Sequence, residues 1–369
     1  LPCVGSRTAG SALPARSAAQ SLKQSIKWAL ASLVLAGALL TLFFSTRPKL
    51  LEQENFLMGT FIRLSAYGDS RTKTRLNESM EIIAHLDATL SLTRPDSEIA
   101  RLNAQAGKKA VPVSPEALEL LQIAIQWAKA THGAFDPTVA PIVQLWGIGG
   151  EHPRVPTDKE LKKASGLVDY RDIEISGDTV FLKRTGQGVD LGGIAKGYAA
   201  DKVAAFLRSH HVDSALIDLG GNVVTIGSKK DKTPWNIGIQ NPGLPRGNAL
   251  GFVSVTDRSV VTSGTYERFF EVGGRRYHHI LSPKTGAPAV SGLESVTVVS
   301  ERSVDGDALS TAFFVMGIQK ATELLKELPD IEVLFVRREK DRYRIEVTEG
   351  LFDRFTLLDK TATVSLLKR

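Results

Sequence analysis

The sequence has almost no cysteine, and its first 49 residues contain no acidic residue at all. Cys3 is the one cysteine among the 369 residues, so an intrachain disulfide is excluded. This thiol precedes the apolar run near the N terminus, whereas a lipoprotein acylation site would follow such a run. The sequence therefore argues against a fold stabilised by disulfide bonds and against catalysis by a cysteine thiol.

The lack of acids in residues 1–49 determines how the net charge of +6 should be interpreted. Six basic side chains lie in this segment, which leaves 40 basic and 40 acidic side chains in residues 50–369. The excess charge thus belongs to the N-terminal segment, and the larger part of the chain is balanced. A charge distribution of this kind gives no support to nucleic-acid binding, and we expect no nucleic-acid partner.

Residues 28–44 (WALASLVLAGALLTLFF) form the one long apolar run, and they carry no charge. This length is at the short end for a membrane-spanning helix, and the basic leading flank favours a cytoplasmic N terminus. We expect an uncleaved anchor, and a cleaved signal peptide is the alternative. The predicted boundaries are a basic cytoplasmic tail over 1–27, the anchor or signal sequence over 28–44, a linker over 45–55 and one catalytic domain over 56–369.

The rest of the chain mixes helices and strands without the regular alternation of a doubly wound sheet. Residues 57–66 have the alternation of a strand, 72–91 have helical spacing, and Ser114 is a good helix cap. Short strands separated by turns dominate after Ala215, and two helices over about 307–328 interrupt them. The pattern predicts an α+β fold with mostly antiparallel sheets and flanking helices.

The segment 188–201 (GVDLGGIAKGYAAD) places glycines directly before a predicted helix. It lacks the Gly-Lys-Ser/Thr of nucleoside-triphosphatase loops, and it does not fit GxGxxG. Gly192 and Gly193 would still let a ligand approach the backbone, and a helix N terminus favours phosphate. Asp190 could accept hydrogen bonds from hydroxyl or base groups. The alternative is a tight turn in which Asp190 caps the helix.

Asp307 and Thr311 are four residues apart, which places them on one face of a predicted helix. A carboxylate and a hydroxyl are hard oxygen donors that suit Mg²⁺, and this ion takes few protein ligands. The alternative is a capped helix start in which the threonine hydroxyl bonds its own turn. Asp305 is a second carboxylate nearby, and the sequence assigns it no position.

Two further segments contain groups that could act in a site. His278 and His279 lie on a predicted strand, so their rings should point to opposite faces and at most one can serve a common site. Such a histidine could act as a general base, or it could be structural. In the turn 133–138 (GAFDPT), Phe135 could lie against a flat ring and Asp136 could accept a hydrogen bond.

These four segments in this order, together with Met58-Gly59-Thr60 and Asp96-Ser97-Glu98, resemble the ApbE family of FAD:protein FMN transferases. The segments IDLGGNV, PWNIGIQNP and SVVTSGTYERFF are also similar to that family. The resemblance implies a T-fold-like flavin transferase core and a Mg²⁺-dependent enzyme on the periplasmic side of a bacterial inner membrane. Such an enzyme moves the FMN half of FAD onto a threonine or serine hydroxyl of a target protein and releases AMP.

The resemblance also implies roles for individual residues. His279 would be the candidate base, and the metal ligands would be the Gly193 carbonyl, Asp307 and Thr311. The residues expected to bind FAD are Met58, Ala134, Phe135, Asp136, Asp190, Lys196 and Ile280. The implied partners are FAD and periplasm-facing flavoprotein subunits with an acceptor threonine or serine, such as subunits of membrane redox complexes.

Two residues differ from the family pattern at positions where the resemblance implies an effect on flavin binding. Thr93 stands where many members have a tyrosine that could stack on the ring, and Ser282 stands where an aspartate is common. Three alternative functions stay open at this point. The same site could hydrolyse FAD to FMN and AMP, or the protein could be a non-catalytic periplasmic flavin-binding protein. The third alternative is a periplasmic interaction protein, given the expected anchor and the balanced charge of the larger part.

Overall fold

The computed structural model describes residues 23–34 and 49–369, and its contacts divide the chain into two units, Leu1–Lys49 and Leu50–Arg369. In the first unit, residues 23–34 are helical and exposed. Within the described ranges, no helix is both long and apolar enough to cross a membrane. Most of the expected anchor, residues 35–44 of 28–44, lies outside the described residues, so the anchor stays a prediction.

The second unit is an α+β domain, as the sequence predicts. Its strands are β1 (Lys49–Leu57), β2 (Thr60–Gly68), β3 (Val111–Pro112), β4 (Ile173–Ser176), β5 (Thr179–Leu182), β6 (Ala215–Asp218), β7 (Asn222–Ile226), β8 (Trp235–Gln240), β9 (Ala249–Val255), β10 (Ser259–Gly264), β11 (Phe269–Val272), β12 (Arg275–His278), β13 (Ser295–Ser300), β14 (Glu332–Glu339), β15 (Arg342–Thr348), β16 (Phe355–Leu357) and β17 (Thr363–Leu367). Its helices are α1 (Ser70–Leu90), α2 (Glu98–Ala104), α3 (Pro115–Ala130), α4 (Ala140–Trp146), α5 (Asp158–Ser165), α6 (Ala195–Ser209), α7 (Ser303–Leu325) and α8 (Glu349–Phe352).

Nine strands form the central sheet in the order β1-β2-β6-β7-β10-β13-β14-β15-β17. The pairs from β2–β6 through β14–β15 are antiparallel, and β15–β17 is parallel. Side chains of successive residues point to opposite faces of a strand, and β7 shows the result. Val224 joins the core under the helices, whereas Val223 joins the core against the small sheet β16-β9-β8. The domain therefore has a helical layer, a central sheet and a small second sheet.

The helical layer is formed by α1, α6 and α7 on the face that carries Val224. Helix α1 begins at Asp69, whose carboxylate accepts from the N–H groups of Arg71 and Thr72, and α3 begins at Ser114 as predicted. Helix α6 buries small side chains, including Ala199 and Ala200, so it can pack closely on α7.

The structure corrects the prediction of one strand over 57–66 and of a linker that extends to residue 55. Residues Lys49–Leu57 are strand β1, and a two-residue turn at Met58-Gly59 joins them to β2. Both turn residues have positive φ, 51° and 68°, as a type I′ hairpin requires. Gly317 breaks α7 with φ 73° and ψ 168°, which agrees with the two helices predicted there.

Candidate functional site

The site forms where the N-terminal ends of α6 and α7 meet. A Cβ built on Gly197 would lie 2.4 Å from the Ser303 carbonyl oxygen, so only glycine allows this close approach. The two helices also cap each other. The N–H of Gly197 donates to Asp307 Oδ2 at 2.9 Å, and the N–H groups of Ser303 and Val304 donate to the two Asp201 oxygens at 2.8 and 2.9 Å. Sequence reasoning missed Asp201, although it ends the glycine-rich segment.

The glycine turn lies against the face of α7 that carries Thr311. A Cβ built on Gly193 would be 3.6 Å from Thr311 Oγ1 and 3.4 Å from the Phe135 ring. Asp307 lies one turn earlier on the same face. The structure thus brings Gly193, Asp307 and Thr311 together, as the sequence predicts for their positions. Ser263 on β10 adds a hydroxyl 3.5 Å from Thr311 Oγ1, and this residue was not foreseen.

Lys196 places its ammonium group inside this cluster of oxygens. Its Nζ donates to the Gly192 carbonyl at 3.2 Å and lies 3.8 Å from Asp307 Oδ1. Asp307 is 4% exposed, so its carboxylate depends on Lys196 and on the Gly197 N–H for stabilisation.

Asp305 belongs to a different environment, although it is only two residues from Asp307. Its Oδ1 accepts from the Trp127 indole N–H at 2.9 Å, and its Oδ2 lies 3.8 Å from Arg302 Nε. Asp305 therefore holds α3 against α7, and Asp307 is the carboxylate that faces the glycine turn.

Asp190 is placed at the edge of the same turn, and the Gly192 N–H donates to its Oδ1 at 2.8 Å. Loss of solvation raises the pKa of Asp190, whereas the Gly192 N–H and the charges of Lys196 and Arg268 oppose that rise. The carboxylate therefore lies in the field of two cations, which also favour an anionic ligand here.

His279 lies just past the end of β12 and is half-buried, with its Nδ1 3.2 Å from the Arg268 carbonyl oxygen. A carbonyl can only accept, so Nδ1 carries the proton and Nε2 keeps its lone pair. Burial and, to a smaller extent, the charges of Arg268 and Lys196 lower the pKa of His279 to about 4. His278 instead packs edge-on against Phe314 at 5.5 Å, so the two rings diverge as predicted.

Arg268 is a second cation of the site that sequence reasoning did not single out. Its Nη2 donates to the Gly59 carbonyl at 2.9 Å, which ties it to the Met58-Gly59 turn. The one sequence signal was its presence in SVVTSGTYERFF, a segment similar to the family. Met58 packs partly buried against the core beside this turn.

Four of the residues expected to bind FAD are buried or half-buried in the structure. Asp136 accepts from the Thr138 N–H and hydroxyl through Oδ1, at 2.8 and 2.6 Å, and from the Tyr170 N–H through Oδ2 at 3.0 Å. Phe135 is 4% exposed and packs behind Gly193, and Ala134 is half-buried beside it. The side chain of Ile280 is 3% exposed in the core around Phe313, and the expected contact of this residue with FAD stays a prediction.

The oxygens available to a metal come from a carboxylate, a hydroxyl and a main-chain carbonyl. In the part of the chain that the structure describes, no group of three or more His, Cys, Asp or Glu side chains could hold a metal ion. Asp307, Thr311 and the Gly193 carbonyl are all hard oxygen donors, and one carboxylate leaves room for water and ligand phosphate. This donor set fits Mg²⁺ better than a transition metal.

Comparisons with known proteins identify the family to which the chain is similar. The profile of the ApbE family matches residues 58–335. The FAD:protein FMN transferase of Treponema pallidum is 40% identical over 322 residues, which cover 82% of this chain and 88% of that protein. The Klebsiella pneumoniae protein of the same name is 37% identical, with 77% and 88% covered. Among solved structures, the ApbE protein of Thermotoga maritima has a TM-score of 0.73, 34% identity and coverage of 78% and 94%. The apo flavinyl transferase ApbE of Pseudomonas stutzeri has a TM-score of 0.74, 30% identity and coverage of 84% and 98%.

Proposed function

This chain belongs to the ApbE family, and from that premise we propose that it is an FAD:protein FMN transferase. It moves the FMN half of FAD onto a threonine or serine hydroxyl of a target protein and releases AMP. The proposal fits the site because the acceptor protein supplies the nucleophile. The enzyme itself needs to hold a diphosphate, neutralise its charge and accept a proton.

The observation that carries the proposal is the meeting of a glycine turn, two cations and oxygen donors at one place. Gly192 and Gly193 leave the backbone open at the start of α6, where a helix favours phosphate. Lys196 and Arg268 add two positive charges near Asp190. A protein that only bound FAD, without reacting with it, would not need the further oxygen donors Asp307 and Thr311.

We assign Mg²⁺ to the oxygens of Asp307, Thr311 and the Gly193 carbonyl. The ion, when bound, would neutralise charge on the phosphates as AMP leaves. The chain's own contribution is to hold these oxygens. Gly197 and Asp201 fix the two helix ends, and the buried carboxylate of Asp307 cannot turn away because it accepts from the Gly197 N–H.

His279 is the proposed general base for the acceptor hydroxyl. Its lowered pKa keeps the ring neutral at neutral pH, and the Arg268 carbonyl fixes the tautomer that leaves Nε2 free. A neutral imidazole with one fixed N–H is ready to accept a proton, although its low pKa makes it a weak base. Uptake of the hydroxyl proton at Nε2 would place positive charge beside Lys196 and Arg268, and this repulsion favours rapid release of the proton.

The proposed location is the periplasmic face of a bacterial inner membrane, with residues 28–44 as a single anchor. The uncharged run over 28–44 and the basic residues before it support this location. The proposed acceptors are flavoprotein subunits that face the periplasm, because an anchored enzyme would meet them there.

The experiment that tests the function is incubation of the full chain with FAD and MgCl₂, with and without a bacterial membrane-protein fraction as acceptor. A transferase gives AMP release that rises with the acceptor, and a flavin-fluorescent protein band that survives denaturing electrophoresis. Equal release of AMP and free FMN in both samples would show hydrolysis. FAD binding without AMP release would show a flavin-binding protein.

A further inference from the structure

We infer that the Lys196 ammonium occupies the place of the divalent cation beside Asp307 in the FAD-free protein, and that FAD draws it away. Lys196 would then couple the two ligands, because the cation binds well only when FAD is also present. This inference rests on the proposed function, since it assumes that FAD and a divalent cation share the site.

The position of Lys196 Nζ carries the inference. It lies among oxygens that the proposed cation would use or adjoin, at 3.2 Å from the Gly192 carbonyl and 3.8 Å from Asp307 Oδ1. Asp307 is 4% exposed, and a buried carboxylate needs a nearby positive charge. Asp307 accepts one further bond from the Gly197 N–H, so Lys196 supplies the compensating full charge.

Lys196 and a divalent cation would compete for that carboxylate. A lysine ammonium is a compact charge on a flexible stem, and it can leave when another cation arrives. Two cations within a few ångströms of each other repel, and beside the buried carboxylate of Asp307 this repulsion is screened less than in bulk water. A metal ion that binds the FAD-free protein therefore has to displace the ammonium, and this competition weakens metal binding.

The phosphates of FAD offer Lys196 another partner on the same side of the site. The charge of Lys196 already acts on Asp190 and His279, two of the groups proposed to surround FAD. When the diphosphate attracts Lys196, Asp307 becomes free for the cation. The coupling is reciprocal, so the cation strengthens FAD binding by the same factor as FAD strengthens cation binding.

The test is a Mn²⁺ titration of the full chain, followed by electron paramagnetic resonance, with Mg²⁺ as competitor and with FAD absent or saturating. In the absence of FAD, Lys196→Met should bind Mn²⁺ about tenfold more tightly than wild type, because the competing charge is gone. In the absence of Mn²⁺, the same variant should bind FAD more weakly. These opposite changes distinguish the inference from simple damage to the site, which would weaken both.

Lys202→Met is the matched control, because it removes the same charge from the same helix. Lys202 Nζ pairs instead with Glu119 Oε2 at 2.7 Å. It should leave both affinities unchanged, and Lys196→Arg, which keeps the charge, should keep weak Mn²⁺ binding without FAD. Unchanged or weaker Mn²⁺ binding by Lys196→Met, or equal tightening by Lys202→Met, would overturn the inference. If the wild-type protein with FAD bound no Mn²⁺ at all, the proposed cation site itself would fail.

Discussion

Asp305 and Asp307 lie on one helix turn, but their surroundings differ. Asp305 bonds the Trp127 indole and lies near Arg302, whereas Asp307 is buried beside the glycine turn and Lys196. Removing either charge changes the formal charge of the helix equally. The two residues therefore allow a test in which only the contact with the proposed metal site differs.

We predict that Asp307→Asn abolishes AMP release at ordinary Mg²⁺ while the protein stays folded, because a hard divalent cation depends on that charge. Thr311→Val keeps the shape and removes a neutral donor, so it should be milder, and added Mg²⁺ should restore it more than Asp307→Asn. Initial rates over a Mg²⁺ series check this. Asp305→Asn should keep the Mg²⁺ dependence of wild type. A shift in melting temperature without any change in Mg²⁺ dependence would assign Asp307 a purely structural role.

The sequence predicted that Asp307 and Thr311 lie close together, because helical spacing depends only on residues that are near in the chain. It placed Asp307 and Thr311 on one face and Gly193 in a turn, and the structure brings them together. It assigned no position to Asp305, since the contact of Asp305 with Trp127 depends on how α3 packs on α7. Arg268 and Asp201 were missed for the same reason. Their partners Gly59 and Ser303 are remote in the chain, and no periodicity marks such contacts.

His279 gives a prediction that concerns pH. Its folded pKa of about 4 is below the usual 6.5, chiefly because of burial and then because of nearby cations. We expect its ring resonances in an NMR titration to shift with a midpoint near 4, identified by their loss in His279→Gln. Lys196→Gln and Arg268→Gln should each raise the midpoint, because a nearby positive charge is removed. Lys202→Met should not.

The same shift has a consequence for stability whose sign can be stated. The unfolded chain takes up the proton of His279 at a higher pH than the folded protein does. The contribution of His279 to stability is therefore fully present above about pH 6.5 and is lost as the pH falls toward 4. Chemical denaturation at several pH values should show a smaller acid loss in His279→Gln. A midpoint near 6.5 in the titration would mean that the ring is solvated and free of the two cations.

At the scale of elements, the pair α6 and α7 determines the geometry of the site. Each helix supplies the carboxylate that caps the other, through Asp201 and Asp307. Burial raises the pKa of Asp201 to about 6, and the N–H groups of Val304 and Ser303 oppose that rise. The N–H groups at the start of α7 thus stabilise the ionised form of Asp201, which caps that helix. The two helices approach each other closely at Gly197.

We predict that Gly197→Ala forces the two helices apart, because its Cβ would lie 2.4 Å from the Ser303 carbonyl oxygen. Overpacking of this kind costs about 1–3 kcal/mol of unfolding free energy. AMP release should fall more than stability alone explains, since Asp307 moves relative to Gly193. Gly238→Ala is the control, because its Cβ would meet only Ala249 Cβ at 3.8 Å. Wild-type melting temperature and activity in Gly197→Ala would contradict the proposed helix contact.

Most longer elements followed from sequence pattern, and the exceptions have physical reasons. Helix α1 and the strands from β6 to β15 have clear periodicity or β-branched runs. The hairpin of β1 and β2 was missed because Met58 is an unusual residue for positive φ, so the turn gave no Asn-Gly or Asp-Gly signal. The small strands β3, β16 and β17 are short, and pairing with distant strands defines them.

At the scale of the whole molecule, charge separates the chain into two parts. Residues 1–49 contain basic residues and no acids, whereas residues 50–369 are balanced. Residues Leu50–Arg369 form one compact unit, which contains every residue assigned to the site. One hydrophobic core lies between the helical layer and the central sheet, and another lies between the central sheet and the small second sheet. The N-terminal segment contributes none of the residues assigned to the site, so its role has to be sought outside the chemistry.

We predict that this role is attachment to the inner membrane, with the catalytic domain in the periplasm. Residues 28–44 lack charges, and four basic residues precede them, which favours a cytoplasmic N terminus. The full chain should therefore sediment with membranes and resist extraction by carbonate. Alkaline phosphatase fused after Arg369 should be active, because it folds only outside the cytoplasm, whereas a fluorescent protein that fails to fold there should stay dark.

Placing four lysines within residues 28–44 should release the protein from membranes without changing the AMP release of the purified enzyme. An active cytoplasmic reporter at Arg369 would reverse the topology, and a mature N terminus beyond residue 44 would replace the anchor with a cleaved signal peptide.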